Sequence, residues 1–198
     1  GRICILKSKW YPAHVESMAG ACDTILRQAG YADIEQHTLP GSLEIPLAAR
    51  DLLAEDIASN IDAIICFGVI VKGDTLHFEM ISEESMRGLG QVMREFRRPV
   101  VVAILPVFDI QQAIDRSSDD EFNNGIEAAV AALDMIHWRR GVVAANYRTV
   151  VLNSRCLSRC QSFCFKLSRL SCCFLPLPKA ISHFTLLPFQ YIASGTIV

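Results

Sequence analysis

Past residue 140 the chain has no acidic side chain: residues 141–198 hold six Lys and Arg and no Asp or Glu. The first 140 residues hold the opposite balance, 13 basic against 21 acidic, so a net charge of −2 conceals −8 followed by +6. With no basic excess over the whole, nothing points to a nucleic-acid partner. No segment reaches the about 18 uninterrupted apolar residues of a membrane helix, so no membrane partner is expected. The opening GRICILKSKW is too short in its apolar run for a secretory signal. Cysteine is sparse before residue 141. Cys4, Cys22 and Cys66 each fall in an apolar segment, where a reduced, buried thiol is expected. Five more crowd into 156–173, with Cys156, Cys160 and Cys164 at the four-residue interval of one helix face. Their spacing matches neither zinc nor iron–sulfur patterns, so no metal is expected. These lacks predict a cytoplasmic protein in a reducing compartment. A natural N-terminus before Gly1 would leave room for an organellar targeting peptide.

What is present is a globular composition, 51% apolar and 20% charged. Arg2–Leu6 reads as a strand, and Val15, Met18, Cys22, Ile25, Leu26 and Ala29 then step by three and four, the period of a helix face. Gly30 stands where a helix-ending glycine belongs. Ile34–Leu39 is a second strand, LEIPLAARDLLAE a helix with Pro46 in its first turn, and Ala63–Val69 a third strand. A helix from His77, a fourth strand at Val100–Leu105, and helices at Ile110–Arg116 and Gly125–Trp138 follow. Strand and helix alternate four times, which predicts an α/β fold: a four-stranded parallel sheet with helices on both faces. Residues 1–140 form this domain. Residues 141–198 show neither helical nor strand periodicity and read as an irregular, poorly ordered extension, such as a mis-predicted splice or reading frame produces.

In such a sheet ligands gather outside the carboxyl ends of the strands, so the four loops following the strands should be neighbours. In GVIVKGDTLHFE, Gly73 permits a sharp turn and Thr75 offers a cap to the next helix. The free amides of that first turn favour a phosphate. His77, about one turn inside, titrates near neutrality and is placed to move protons. A capping turn followed by a surface histidine explains the same residues. Arg116, after the fourth strand, suits bidentate phosphate binding, and equally a solvated helix end. Trp10 offers a platform for a flat heterocycle, or else a staple packed on the core. The turn Gly41–Ser42–Leu43–Glu44 offers amides and a carboxylate to hydroxyls, or is a plain connection.

Taken together, LPGSLEIPLAA, FGVIVKGDTLHFE and QQAIDR…NNG resemble the lumazine synthase family from about Ile3 to Trp138. The resemblance implies a flavodoxin-like three-layer α/β/α sandwich and a transferase of riboflavin biosynthesis, working without metal or organic cofactor. Its expected reaction joins 5-amino-6-ribitylaminouracil to 3,4-dihydroxy-2-butanone 4-phosphate, giving 6,7-dimethyl-8-ribityllumazine. It further implies that Trp10 stacks on the pyrimidine and that Gly41, Ser42, Leu43 and Glu44 hold the ribityl chain. Val69 and Val71 would line the pyrimidine edge, with Val102 in the pyrimidine wall. Lys72 stands in place of a frequent arginine. Gly73, Asp74 and Thr75 would give amides to the phosphate, Arg116 would complete that phosphate site, and His77 would carry the proton. Sites are expected between subunits of a homopentamer or a multiple of pentamers. Tyr11, Val102, Ala103, Pro106 and Asn124 depart from the family's common residues. A non-catalytic flavin- or lumazine-binding protein on the same fold is the alternative.

Overall fold

The computed structural model describes residues 1–142. Four strands, β1 (Arg2–Ser8), β2 (Ile34–Leu39), β3 (Ile61–Val71) and β4 (Val100–Val107), form one all-parallel sheet in the order β2-β1-β3-β4. Between and after them lie α1 (Pro12–Gln28), α2 (Ile45–Glu55), α3 (His77–Phe96) and α4 (Ile110–Ser117). A further helix, α5, covers residues 124–142. Among the described residues no helix is long and apolar enough to cross a membrane. The expected extension and its cysteine spacing lie outside the described residues, apart from 141 and 142, which continue α5 beyond the anticipated end at Trp138.

Alternation along the strands divides the core into two layers. Ile3, Ile5, Ala63, Ile65 and Phe67 face Val15, Met18, Cys22 and Leu26 of α1 and Ala129, Ala132 and Ile136 of α5. Cys4, Leu6, Ile64 and Cys66 face Ile45 and Ala49 of α2 and Leu89 and Val92 of α3. Two covered faces explain why β1, β3 and β4 read as near-continuous apolar runs, whereas β2, at the sheet edge, is IEQHTL with no residue fully buried. Cys4, Cys22 and Cys66 are free and buried. Burial raises all three thiols, Cys4 to about 11 and Cys22 to about 12, so none is a nucleophile at neutral pH.

Three expectations needed correction. β3 is four residues longer than Ala63–Val69, because Ile61 and the stretch to Val71 also pair. β4 was expected to be buried on both faces. It is an edge strand with Val101, Val102 and Leu105 half-buried, and it continues through Pro106, which an edge tolerates. His77 was read both as the start of its helix and as about one turn inside it; it is the first residue.

The helix ends are chemically defined. α1 closes with Tyr31 N–H donating to the Leu26 carbonyl and Gly30 N–H to that of Arg27, with Gly30 at φ 93°, the two bonds that end a helix on a left-handed glycine. α1 opens on Tyr11 at φ 54°, ψ 53°, a left-handed conformation unusual for a bulky residue. Asparagine would enter that region at lower cost. α5 opens on Asn123, whose Oδ1 accepts from Gly125 N–H while its Nδ2 donates to Ser118 O and Ser17 Oγ. Gly125 itself lies against α1: a Cβ there would run into the Met18 carbonyl oxygen.

Gly125→Ala is therefore expected to lower stability by about 1–3 kcal/mol through overpacking. Tyr11→Asn is expected to raise it by up to about 1 kcal/mol by relieving the left-handed backbone. Unfolding followed by circular dichroism checks both. An unchanged transition in Gly125→Ala would contradict the close α1–α5 approach.

Candidate active site

β1 lies between β2 and β3, so the connections leaving β1 and β2 part to opposite faces of the sheet. The carboxyl ends of β1 and β3 are the point where such sheets open a crevice. A hollow of about 530 Å³ occupies that point. Lys9, Trp10 and Tyr11 enter it from the end of β1, and Pro40 to Glu44 from the end of β2. Val69, Ile70 and Val71 enter from the end of β3, and His77 and Ile81 from the first turns of α3.

The turn after β2 is a short 3-10 segment, Ser42–Glu44, running directly into α2. Gly68 on β3 lets it settle on the sheet. A Cβ at Gly68 would lie 2.5 Å from Ser42 Oγ and 3.4 Å from Ser8 Oγ. Gly41 serves the same close packing on the solvent side. A Cβ there would sit 2.9 Å from Glu44 Oε2 and 3.8 Å from both Cδ1 and Nε1 of Trp10. The carboxylate of Glu44 thus folds back beside the indole, and the two form one corner of the hollow. Trp10 is 62% exposed, so its ring is not a staple packed on the core.

The loop from Lys72 to Leu76 leaves the hollow at Val71 and returns at His77. All of its residues are exposed. Thr75 does not cap α3 as expected: the capping position is Leu76, the helix has no side-chain cap, and Thr75 Oγ1 only accepts a long 3.4 Å bond from His77 N–H. Gly73 has no positive φ and open space around it, so the chain itself does not demand glycine there. Lys72 Nζ lies 2.5 Å from Glu79 Oε1, and its hydrogen bond holds the Glu79 carboxyl below the ordinary carboxylate range. Among the described residues no group of His, Cys, Asp and Glu side chains is arranged to hold a metal.

Of the residues singled out in the sequence, the fold brings Trp10, Gly41, Ser42, Leu43, Glu44, Val69, Val71 and His77 around one hollow. Lys72, Gly73, Asp74 and Thr75 do not line it; they belong to the exposed loop that joins two lining residues, Val71 and His77. Val102 does not join them; it pairs with Cys66 in the sheet and packs on the α2–α3 core layer. Arg116 does not join them within one chain either. It lines a second hollow of about 580 Å³ with Asn124, Asp115, Asp120, Glu127 and Phe122. Its place there is fixed from α1: Ser17 Oγ donates to the Ser117 carbonyl at 2.6 Å, and His14 Nδ1 lies 2.7 Å from Ser117 Oγ.

Lys9, Tyr11, Pro40, Ile70 and Ile81 also line the hollow and were not among the expected site residues. Ile81 was recoverable, being four positions after His77 on the same helix face. Lys9 sat in plain view beside Trp10, but nothing in the sequence ranks it above any solvated lysine.

A sequence model of the family described as 6,7-dimethyl-8-ribityllumazine synthase matches residues 1–140, which contain the four described strands and the residues lining the hollow between them; the chain belongs to that family, whose members act in riboflavin biosynthesis.

Proposed function

We propose that the protein condenses 5-amino-6-ribitylaminouracil with 3,4-dihydroxy-2-butanone 4-phosphate to form 6,7-dimethyl-8-ribityllumazine. The observation that carries this reading is the single hollow in which an exposed indole, a carboxylate-bearing turn and an imidazole meet at the strand ends. The pyrimidine stacks on Trp10 against Val69 and Val71. The ribityl hydroxyls bond to the amides of Gly41, Ser42 and Leu43 and to the Glu44 carboxylate. The phosphate lies at the amino end of α3, over the amides of Gly73, Asp74 and Thr75, where the helix dipole favours an anion. The open space above Gly73 suits such an approach.

Chemically, the pyrimidine amine adds to the ketone and water leaves to give an imine. The proton on C3 is then lost as phosphate departs from C4, leaving an enol whose tautomerisation makes C3 a carbonyl and C4 a methyl group; the ribitylamino nitrogen closes on that new carbonyl and a second water leaves. His77 carries protons in these steps, for which it stands at the junction of both substrate positions. Holding amine and ketone together supplies much of the acceleration. No cofactor is required by this electron flow.

Arg116 and Val102 come to the site from an adjacent subunit of a pentamer in this reading. Arg116 makes no ion pair among the described residues, and its hollow is open to solvent. That separation within one chain is also what favours the second reading, a carrier that binds flavin or lumazine without turning over. Incubation of both substrates, monitored for the lumazine chromophore, decides between the two.

His77→Ala is expected to lower kcat by about 10²–10⁴-fold, the usual worth of a positioned proton carrier, without abolishing turnover. Arg116→Ala is expected to act mainly on KM for the phosphate substrate. Steady-state kinetics with each substrate varied in turn reads both. Equal losses in kcat with neither KM moved would contradict this division of roles.

A further inference from the structure

The loop carrying the proposed phosphate cradle and His77 is exposed along its length, yet one side chain brackets it. Lys72 is pinned by its backbone, N–H to the Val107 carbonyl at 2.9 Å, as the last rung joining β3 to β4. Its side chain reaches Glu79, in the first turn of α3, at 2.5 Å. On the way its ammonium passes over two rings, 5.5 Å from the centroid of Phe78 and 5.6 Å from that of Phe108. The rings themselves are 6.0 Å apart at 39°. Phe108 is 68% exposed, a poor use of a large apolar ring unless the cation is its partner. It is also held in place: Gln112 Oε1 accepts from Phe108 N–H at 2.9 Å, and Asp109 Oδ1 accepts from Gln111 N–H at 2.5 Å to cap α4.

Resting on the synthase reading above, we infer that Phe108 and Lys72 are positioning residues: with Phe78 and Glu79 they clamp the 73–77 loop so that His77 and the phosphate-facing amides are held in one arrangement. Lys72 is then a strut and not a phosphate ligand, because its ammonium is already shared between a carboxylate and two ring faces. The clamp joins three elements, the ends of β3 and β4 and the start of α3. Disturbing it at Phe108 therefore reaches His77 although Phe108 touches neither the hollow nor the proton carrier. Among the described residues the loop's remaining ties are local, the long bond from His77 N–H to Thr75 Oγ1 and the first closed helical bond from Met80 N–H to the Leu76 carbonyl at 3.1 Å.

The test uses the full chain with four substitutions, Lys72→Met, Lys72→Arg, Phe108→Leu and Phe108→Tyr. Two readouts apply: steady-state kinetics in both substrates, and hydrogen exchange of the segment 74–82. Lys72→Met and Phe108→Leu are expected to lower kcat about three- to tenfold, the scale of a lost cation–ring contact. KM for the pyrimidine substrate should stay put, since Trp10 and Glu44 stand on other elements. Exchange at Met80 should rise in the same two variants, while Lys72→Arg and Phe108→Tyr retain both wild-type behaviours. Wild-type kcat and exchange in Phe108→Leu would overturn the proposal. So would a Lys72→Met defect confined to KM for the phosphate substrate with exchange unchanged, which would make Lys72 a direct ligand. If the wild type forms no lumazine, the synthase reading fails, and exchange across the four variants still decides whether the clamp exists.

Discussion

Everything at the functional end of this protein depends on β1 being hydrogen-bonded on both sides. Its register with β2 and with β3 fixes where three strands stop, and so where three loops begin. Side chains distant in sequence, Trp10, Glu44 and His77, meet because their strands end together, not because any of them attracts another. The two core layers hold that alignment. Phe67 and Ile65 on one face and Cys66 and Ile64 on the other leave β3 no freedom to slip by one residue without exchanging its faces. The site is thus a by-product of sheet register, and its precision derives from the interior, several residues below the hollow.

Close backbone approach is the second theme. Gly68 and Gly125 each stand where another segment comes nearer than a Cβ would permit, one admitting the turn after β2 and the other admitting α1. Gly41 does the same for a side chain, Glu44. In each case the missing methyl is occupied by a neighbour, which distinguishes these positions from Gly73, where the space is empty.

Much of this was legible in the sequence. Apolar runs marked β1, β3 and β4, and the 3.6-residue period marked five helices, because both signals come from burial, which is nearly complete on β1 and β3. The convergence of the loops followed from alternation alone, through the rule that parallel strands end at one rim. The particular turn at Gly41–Glu44 and the imidazole at His77 stood out by residue type. What could not be read were features set by three-dimensional position. The edge placement of β4, the left-handed backbone at Tyr11 and the passage of Lys72 between Phe78 and Phe108 leave no periodic trace. The separation of Arg116 from the hollow is of the same kind: the sequence places it after the fourth strand, but not on which side of that edge it emerges.

Pro106 has a further effect. In β4 the carbonyl of Val107 turns inward to receive Lys72, so the intervening position, Pro106, turns its backbone outward. A polypeptide laid alongside the carboxyl half of β4 would seek a donor there and find an alkylated nitrogen. That stretch of the sheet margin is consequently a poor template for recruiting another strand, whether in crowding, misassembly or fibre growth.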